Sequence, residues 1–296
     1  MKNYENETKA GMIYGLSAFI LWGLFPIYFK QLYELGFAEI VSHRIIWSVV
    51  FLYILLKLGK KFAQTKALFL NKKTAILLFV SGILIALNWS IYIYAVNINK
   101  IVDASLGYFI NPLITMLLGV IVLKEKISNT GKIAIFIVFI AIFIQIYDVG
   151  GLPLISVVLP LSFAIYSLVR KRIKIPSLEG LFVETTMVMP IAIAALFFIA
   201  KSGQNHFDFS WFGLFITLCG PLTVIPLLLF NSAALRINLS TIGYMQYISP
   251  TMQLLIAVFF YNEQINSAKI VSFILIWIAL VIVSVSSVYA NKKAKI

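Results

Sequence analysis

The sequence predicts an all-α integral membrane protein with ten transmembrane helices arranged as two inverted five-helix repeats. Three observations lead there. Of 296 residues, 61% are hydrophobic and 12% are charged, which is far more apolar than an ordinary soluble domain. Ten apolar stretches come close to the roughly 20 residues that a spanning helix needs; they lie at about 10–32, 37–58, 74–98, 102–123, 130–147, 151–172, 179–200, 211–235, 239–261 and 266–290. A short pattern also recurs: Ala104-Ser105-Leu106-Gly107-Tyr108, Pro112 and Glu125 return as Ser240-Thr241-Ile242-Gly243-Tyr244, Pro250 and Glu263.

The first stretch is the expected insertion signal, with no removable leader ahead of it. Its Gly11 and Gly15 form a GxxxG spacing, read as close helix approach within the bundle, with association into a homo-oligomer left open. In the second stretch Glu39, His43 and Trp47 follow i, i+4, i+8 spacing and share a face, with Arg44 beside them. An ionisable group at a helix centre costs about 2.5 to 3.5 kcal/mol on insertion scales, so each such group is a functional candidate. Arg44 stays charged and suits an anionic group or a carbonyl, whereas His43 exchanges a proton near neutrality. The lysines from Lys57 to Lys73 read as a topogenic loop that also attracts anionic membrane lipid, not as a nucleic-acid surface.

In the fourth stretch, opened by Asp103, Tyr108, Asn111 and Thr115 follow i, i+3, i+7 spacing. Pro112 on the same helix frees a carbonyl that only a neighbouring helix or a wet cavity can satisfy. A shift of 138 residues places Pro112 on Pro250 and Glu125 on Glu263, matches ten of the fifty positions from 95 to 144, and puts Gln246, Ser249 and Gln253 opposite the first polar stripe. Matched interruptions in two halves point to a central binding site. With five stretches per half, the second half enters from the opposite side. The connection at Asp148, Gly150, Gly151 and Pro153 divides the chain into repeats 1–148 and 149–296, packed as one transmembrane unit. Glu184, near the start of the seventh stretch, is a candidate proton carrier.

The net charge of +13 reports topology: on a cytoplasmic N-terminus, 19 of the 24 Lys and Arg residues fall on inner segments. The positive-inside rule then places both termini in the cytoplasm. Cys219 is the only cysteine and reads as packing. His43 and His206 lack companions at metal-ligand spacing, and no GxxxxGK[ST] loop is present. No metal, cofactor or catalytic group is expected, so an enzyme is not.

The segments WGLFPIYFK (22–30), SHRIIWS (42–48), NWSIYIYAVN (88–97), DASLGYFINPL (103–113), YSLVRK (166–171), VET (183–185) and QYISPT (246–251) resemble the RarD proteins of the EamA branch of the drug/metabolite transporter superfamily. Asp103 stands where that pattern carries Glu. The resemblance implies movement of small molecules through a central cavity lined by stretches one, three, four, six, eight and nine. The expected substrate contacts are therefore Trp22, Asn88, Trp89, Tyr92, Tyr108, Asn111, Tyr166, Asn231, Tyr244, Gln246 and Gln253. His43, Arg44, Asp103 and Glu184 are the candidates for proton or charge coupling, with Arg44, on stretch two, more peripheral. The expected function is secondary transport of metabolites or drugs at the plasma membrane by alternating access. The alternative is a passive facilitator of the same fold.

Overall fold

The computed structural model describes residues 2–124, 128–149, 154–173, 175–237, 242–243 and 245–293. Every regular element among them is a helix: α1 (Lys2–Gly23), α2 (Phe25–Lys30), α3 (Phe37–Leu58), α4 (Phe62–Leu70), α5 (Lys72–Asn97), α6 (Ile101–Leu123), α7 (Asn129–Val149), α8 (Leu154–Ile173), α9 (Ser177–Lys201), α10 (Trp211–Thr217), α11 (Cys219–Arg236), α12 (Ile248–Phe259) and α13 (Ser267–Lys293). Seven segments are long and apolar enough to cross a membrane, and Ile101–Thr115, Ile248–Phe259 and Ser267–Ala279 are shorter apolar helices. Glu125, Gly150, Gly151, Pro153, Ser240, Thr241 and Tyr244, which carried part of the repeat, linker and site expectations, lie outside the described residues.

Local chemistry explains the breaks. The first apolar stretch is two helices, because the chain turns at Leu24 and Pro26 then sits in the first turn of α2, where a missing N–H costs nothing. Asn71 caps α5 by accepting from the Thr74 N–H, and Ser210 caps α10 through the N–H groups of Phe212 and Gly213. The lysine-rich segment expected as a loop contains the helix α4. There Lys61 reaches the Glu179 carboxylate at 3.2 Å, tying it to the start of α9.

Helices pack mainly on helices from the other half of the sequence: α1 on α11, α3 on α9, α5 on α8, α6 on α8 and α12, and α7 on α13. Lipid offers no hydrophobic contrast to drive such packing, so close backbone approach must supply it. Gly82 of α5 is one such contact: a Cβ there would stand 2.7 Å from the Glu184 carbonyl oxygen of α9. Gly11 and Gly15 face Ile237, Arg236 and Met245 of the same chain, so the GxxxG spacing serves the bundle. Large apolar side chains such as Leu58, Phe143 and Phe198 stay exposed, while Glu39, Arg44, Asn88, Gln145 and Glu184 are buried. That inside-out distribution is what a lipid solvent selects.

Contacts between helix ends sort into two sets. One end holds Lys61–Glu179 and Arg236–Glu7 with the Arg172 contact to the Val122 carbonyl. The other holds Lys269–Asp103 and His206–Glu39, together with Lys30–Asn99 and Asn266–Asp148. None of these contacts joins a segment expected inside to one expected outside.

Candidate functional site: an aromatic cavity around Arg44

Seven helices leave a space of about 550 Å³ between them, counted out to its mouth. Helix α1 contributes Phe19 and Trp22, α2 Phe25, α3 Arg44, α5 Ile85, Asn88, Trp89 and Tyr92, α6 Tyr108 and Asn111, and α8 Phe163. Gln246, Ser249, Pro250 and Gln253 complete the wall from α12 and the turn before it. On α5 the four residues follow i, i+3, i+4, i+7 spacing, so one helix face supplies them all.

The polar groups hold one another in place. Tyr108 donates to Asn88 Oδ1 at 3.1 Å, and Asn88 Nδ2 donates to the Leu159 carbonyl at 2.8 Å and Ser162 Oγ at 3.1 Å. The α8 carbonyl that Asn88 caps lies next to Pro160, a helix-interior proline. Gln253 Nε2 donates to the Trp22 carbonyl at 3.0 Å and to Ser249 Oγ at 3.2 Å. Ser105, one turn before Tyr108, donates to the Pro250 carbonyl at 2.8 Å, which locks α6 to α12. Other wall atoms find no partner among the described residues: Arg44 Nη1, the Tyr92 hydroxyl, Asn111 Oδ1, both side-chain amide atoms of Gln246, and Gln253 Oε1.

Arg44 corrects the expectation that it is peripheral. Its side chain is buried, 1% exposed, and its guanidinium lies 4.7 Å from the Trp89 ring centre, 4.8 Å from Phe29 and 5.6 Å from Phe25. Its Nε donates to Thr223 Oγ1 of α11 at 3.0 Å. Helical rotation separates it from its neighbour: His43 turns away from the cavity and stacks on Phe207 at 5.2 Å. The shared face expected for Glu39, His43 and Trp47 is present. All three meet the loop after α9, where Glu39 accepts from His206 at 2.8 Å and Trp47 stacks on Phe207 at 5.9 Å.

Of the expected substrate contacts, Trp22, Asn88, Trp89, Tyr92, Tyr108, Asn111, Gln246 and Gln253 line the cavity. Tyr166 and Asn231 do not. Phe163, one turn earlier on α8, takes the wall position and packs on Tyr166 at 6.0 Å. Phe230 fills the adjoining space against Trp22 and Phe163 at 5.5 and 5.3 Å. Asn231 behind it donates to the Tyr166 hydroxyl at 3.4 Å. Asp103 is also off the cavity, paired with Lys269 at 2.6 Å. Glu184 is buried between α5, α8 and α9, where Oε1 accepts from Arg170 at 3.2 Å and from Ser81, while Oε2 has no partner. Arg170, one of the 19 basic residues assigned to inner segments, is a buried counterion. Sequence reasoning also missed Phe19, Phe25, Ile85 and Phe163. Helical spacing from Trp22 and Asn88 points to Phe19 and Ile85, but no local signal marks Phe163.

A cavity walled by crossing helices and lined by a few polar groups is an arrangement that suits a solute carrier, and comparison with known proteins decides the family. The pattern of the EamA-like transporter family matches residues 9–147 and again 151–285. The chain belongs to the EamA-like transporter family. It is a multi-pass membrane protein of the drug/metabolite transporter superfamily. Among its EamA-family relatives, the protein RarD of Salmonella typhi is 40% identical over 289 residues, 97% of this chain and 98% of the relative. RarD of Escherichia coli K12 is 38% identical over the same shares. The uncharacterized transporter YojE of Bacillus subtilis is 41% identical over 98% of each chain. A solved crystal structure shares the fold, with a TM-score of 0.66 at 13% identity over 93% of this chain and 96% of the other.

Proposed function

We propose that this EamA-family transporter exports or exchanges small metabolites or drugs across the plasma membrane by alternating access, with the cavity around Arg44 as the carried site and Glu184 as the proton carrier. The observation that carries the reading is the cavity itself, walled by both halves of the chain and studded with buried polar atoms that have no partner among the described residues. An apolar pocket with a few convergent polar groups is the form a small-molecule site takes.

Two inverted repeats supply the motion, and several observations support them. The family pattern matches each half separately. The packing α1–α11 mirrors α8–α5, and α11–α3 mirrors α5–α9, when the halves are exchanged. Lys124 and Asn262 both adopt left-handed backbone, with φ of 55° and 54°, at the sequence offset of the repeat. Gly82 approaches the α9 backbone at Glu184, and Gly220, at the same offset, approaches the α3 backbone at Trp47. The two sets of end contacts agree with ten crossings and with both termini on one side, the cytoplasmic side on the positive-inside rule.

The test is uptake and efflux of a mixed metabolite and drug panel in proteoliposomes, with and without an imposed proton gradient. Accumulation against a concentration gradient, only when the proton gradient is present, is the expected result. Equilibration indifferent to the gradient would favour a passive facilitator built on the same cavity.

A further inference from the structure

Among the described residues, Arg44 is the only ionisable one other than tyrosine on the cavity wall, and no Asp or Glu lines it. Among the described residues no carboxylate forms an ion pair with it. Arginine does not shed its proton in proteins, so a permanent positive charge stands in a buried space without a counterion among the described residues. The rings of Trp89, Phe29 and Phe25 and the hydroxyl of Thr223 hold the guanidinium in place. Rings lying over a guanidinium leave its in-plane N–H groups free for other partners, and Nη1 has none.

We infer that the carried substrate is an organic anion, with a carboxylate or similar singly charged head on Arg44 and a flat apolar body between the aromatic walls. The inference rests on the transport reading above and names the substrate class of that same site. An anion supplies the counterion that the protein omits, and next to a buried guanidinium that attraction is stronger than in open water. A cation would meet Arg44 with no acid to offset it, and a neutral solute would leave the charge uncompensated. Trp22, Trp89 and Phe163 present ring surface suited to stacking. An inorganic anion would use none of it. The amide of Gln246, unpaired among the described residues, offers a donor nitrogen and an acceptor oxygen to polar groups on the body.

The experiment uses the full chain purified in detergent and reconstituted in liposomes. Binding and uptake are measured for matched sets on one ring system: indole-3-acetate, its amide, and tryptamine, with benzoate, benzamide and benzylamine as a second set, and chloride and phosphate as inorganic arms. The expected result is that the carboxylates bind and the amines do not. Arg44→Gln is expected to weaken carboxylate binding by about 30-fold or more, the usual scale for removing one partner of a buried charge pair. Arg44→Lys keeps the charge without the planar fork and recovers part of it. The inference is overturned by amines or amides binding as well as the carboxylates, by a carboxylate preference that survives Arg44→Gln, by saturation with chloride or phosphate alone, or by no carboxylate binding at all. Uptake of amines unaffected by Arg44→Gln would remove the anion while leaving the transport reading intact.

Discussion

Two buried arginines in this molecule differ in one respect. Arg170 of α8 has its counterion, Glu184 of α9, at 3.2 Å, and neither residue touches the cavity. Arg44 of α3 has only a threonine hydroxyl and aromatic rings, and it lies on the cavity wall. α3 and α9 pack on each other and occupy matching places in the two proposed repeats. The chain therefore neutralises one buried charge and leaves the other open. A charge with a fixed partner holds helices together, whereas a charge without one is available to something that comes and goes.

The largest expected effect lies on the paired side. Arg170→Ala leaves the Glu184 carboxylate buried without its cation, and thermal unfolding in detergent should show a loss of about 3 to 5 kcal/mol, the cost of breaking a buried pair from one side. The double variant Arg170→Met/Glu184→Met should recover most of that loss. Failure to recover it would mean that packing around Gly180, which faces the Arg170 guanidinium, matters more than charge.

Glu184→Gln keeps the shape and the Ser81 contact while removing the titrating group, at a cost approaching the same range of about 3 to 5 kcal/mol, because the Arg170 guanidinium is left buried without its counterion. Proton-driven accumulation should disappear with substrate binding still measurable. Gradient dependence that persists in this variant would restrict Glu184 to holding α8 and α9 together.

The sign should reverse at Arg44. Because no protein carboxylate is orphaned, Arg44→Met should leave thermal stability within about 1 kcal/mol of the parent or raise it, as replacement of buried charge by apolar volume often does. A loss as large as that of Arg170→Ala would erase the contrast between the two sites. The smallest effect is expected at Thr223→Val, which removes the hydrogen bond from Arg44 Nε that orients the guanidinium. A neutral hydrogen-bonding partner contributes about 0.5 to 1.5 kcal/mol, so substrate affinity measured by titration should fall only a few-fold.

Much of the site was legible because helical spacing is local. Tyr108 and Asn111 on one face of α6, with Gln246 and Gln253 at the repeat offset, reach the cavity together, since a 3.6-residue period fixes relative direction along a helix. Thr115, on the same stripe, is buried but does not line the cavity. Spacing also grouped Glu39, His43 and Trp47 correctly, though their face meets the loop after α9 and not the cavity. The family resemblance supplied the lining helices, but it included stretch eight and left out stretch two. The structure reverses both, through Phe230 packing in front of Asn231 and through the inward turn of Arg44.

The sequence by itself determined the solvent and the count of candidate crossings, because lipid demands long apolar helices with satisfied backbones. The 138-residue offset also supplied the proposal of two repeats. Tertiary structure alone decided which buried charge has a partner. Arg170 and Glu184 are 14 residues apart across a turn, and Arg44 and Thr223 are 179 residues apart. No periodicity along the chain encodes a distance between helices. Whether a charged side chain meets a carboxylate, a ring or an open space is set by how the helices cross, and here that crossing separates the clamp from the cavity.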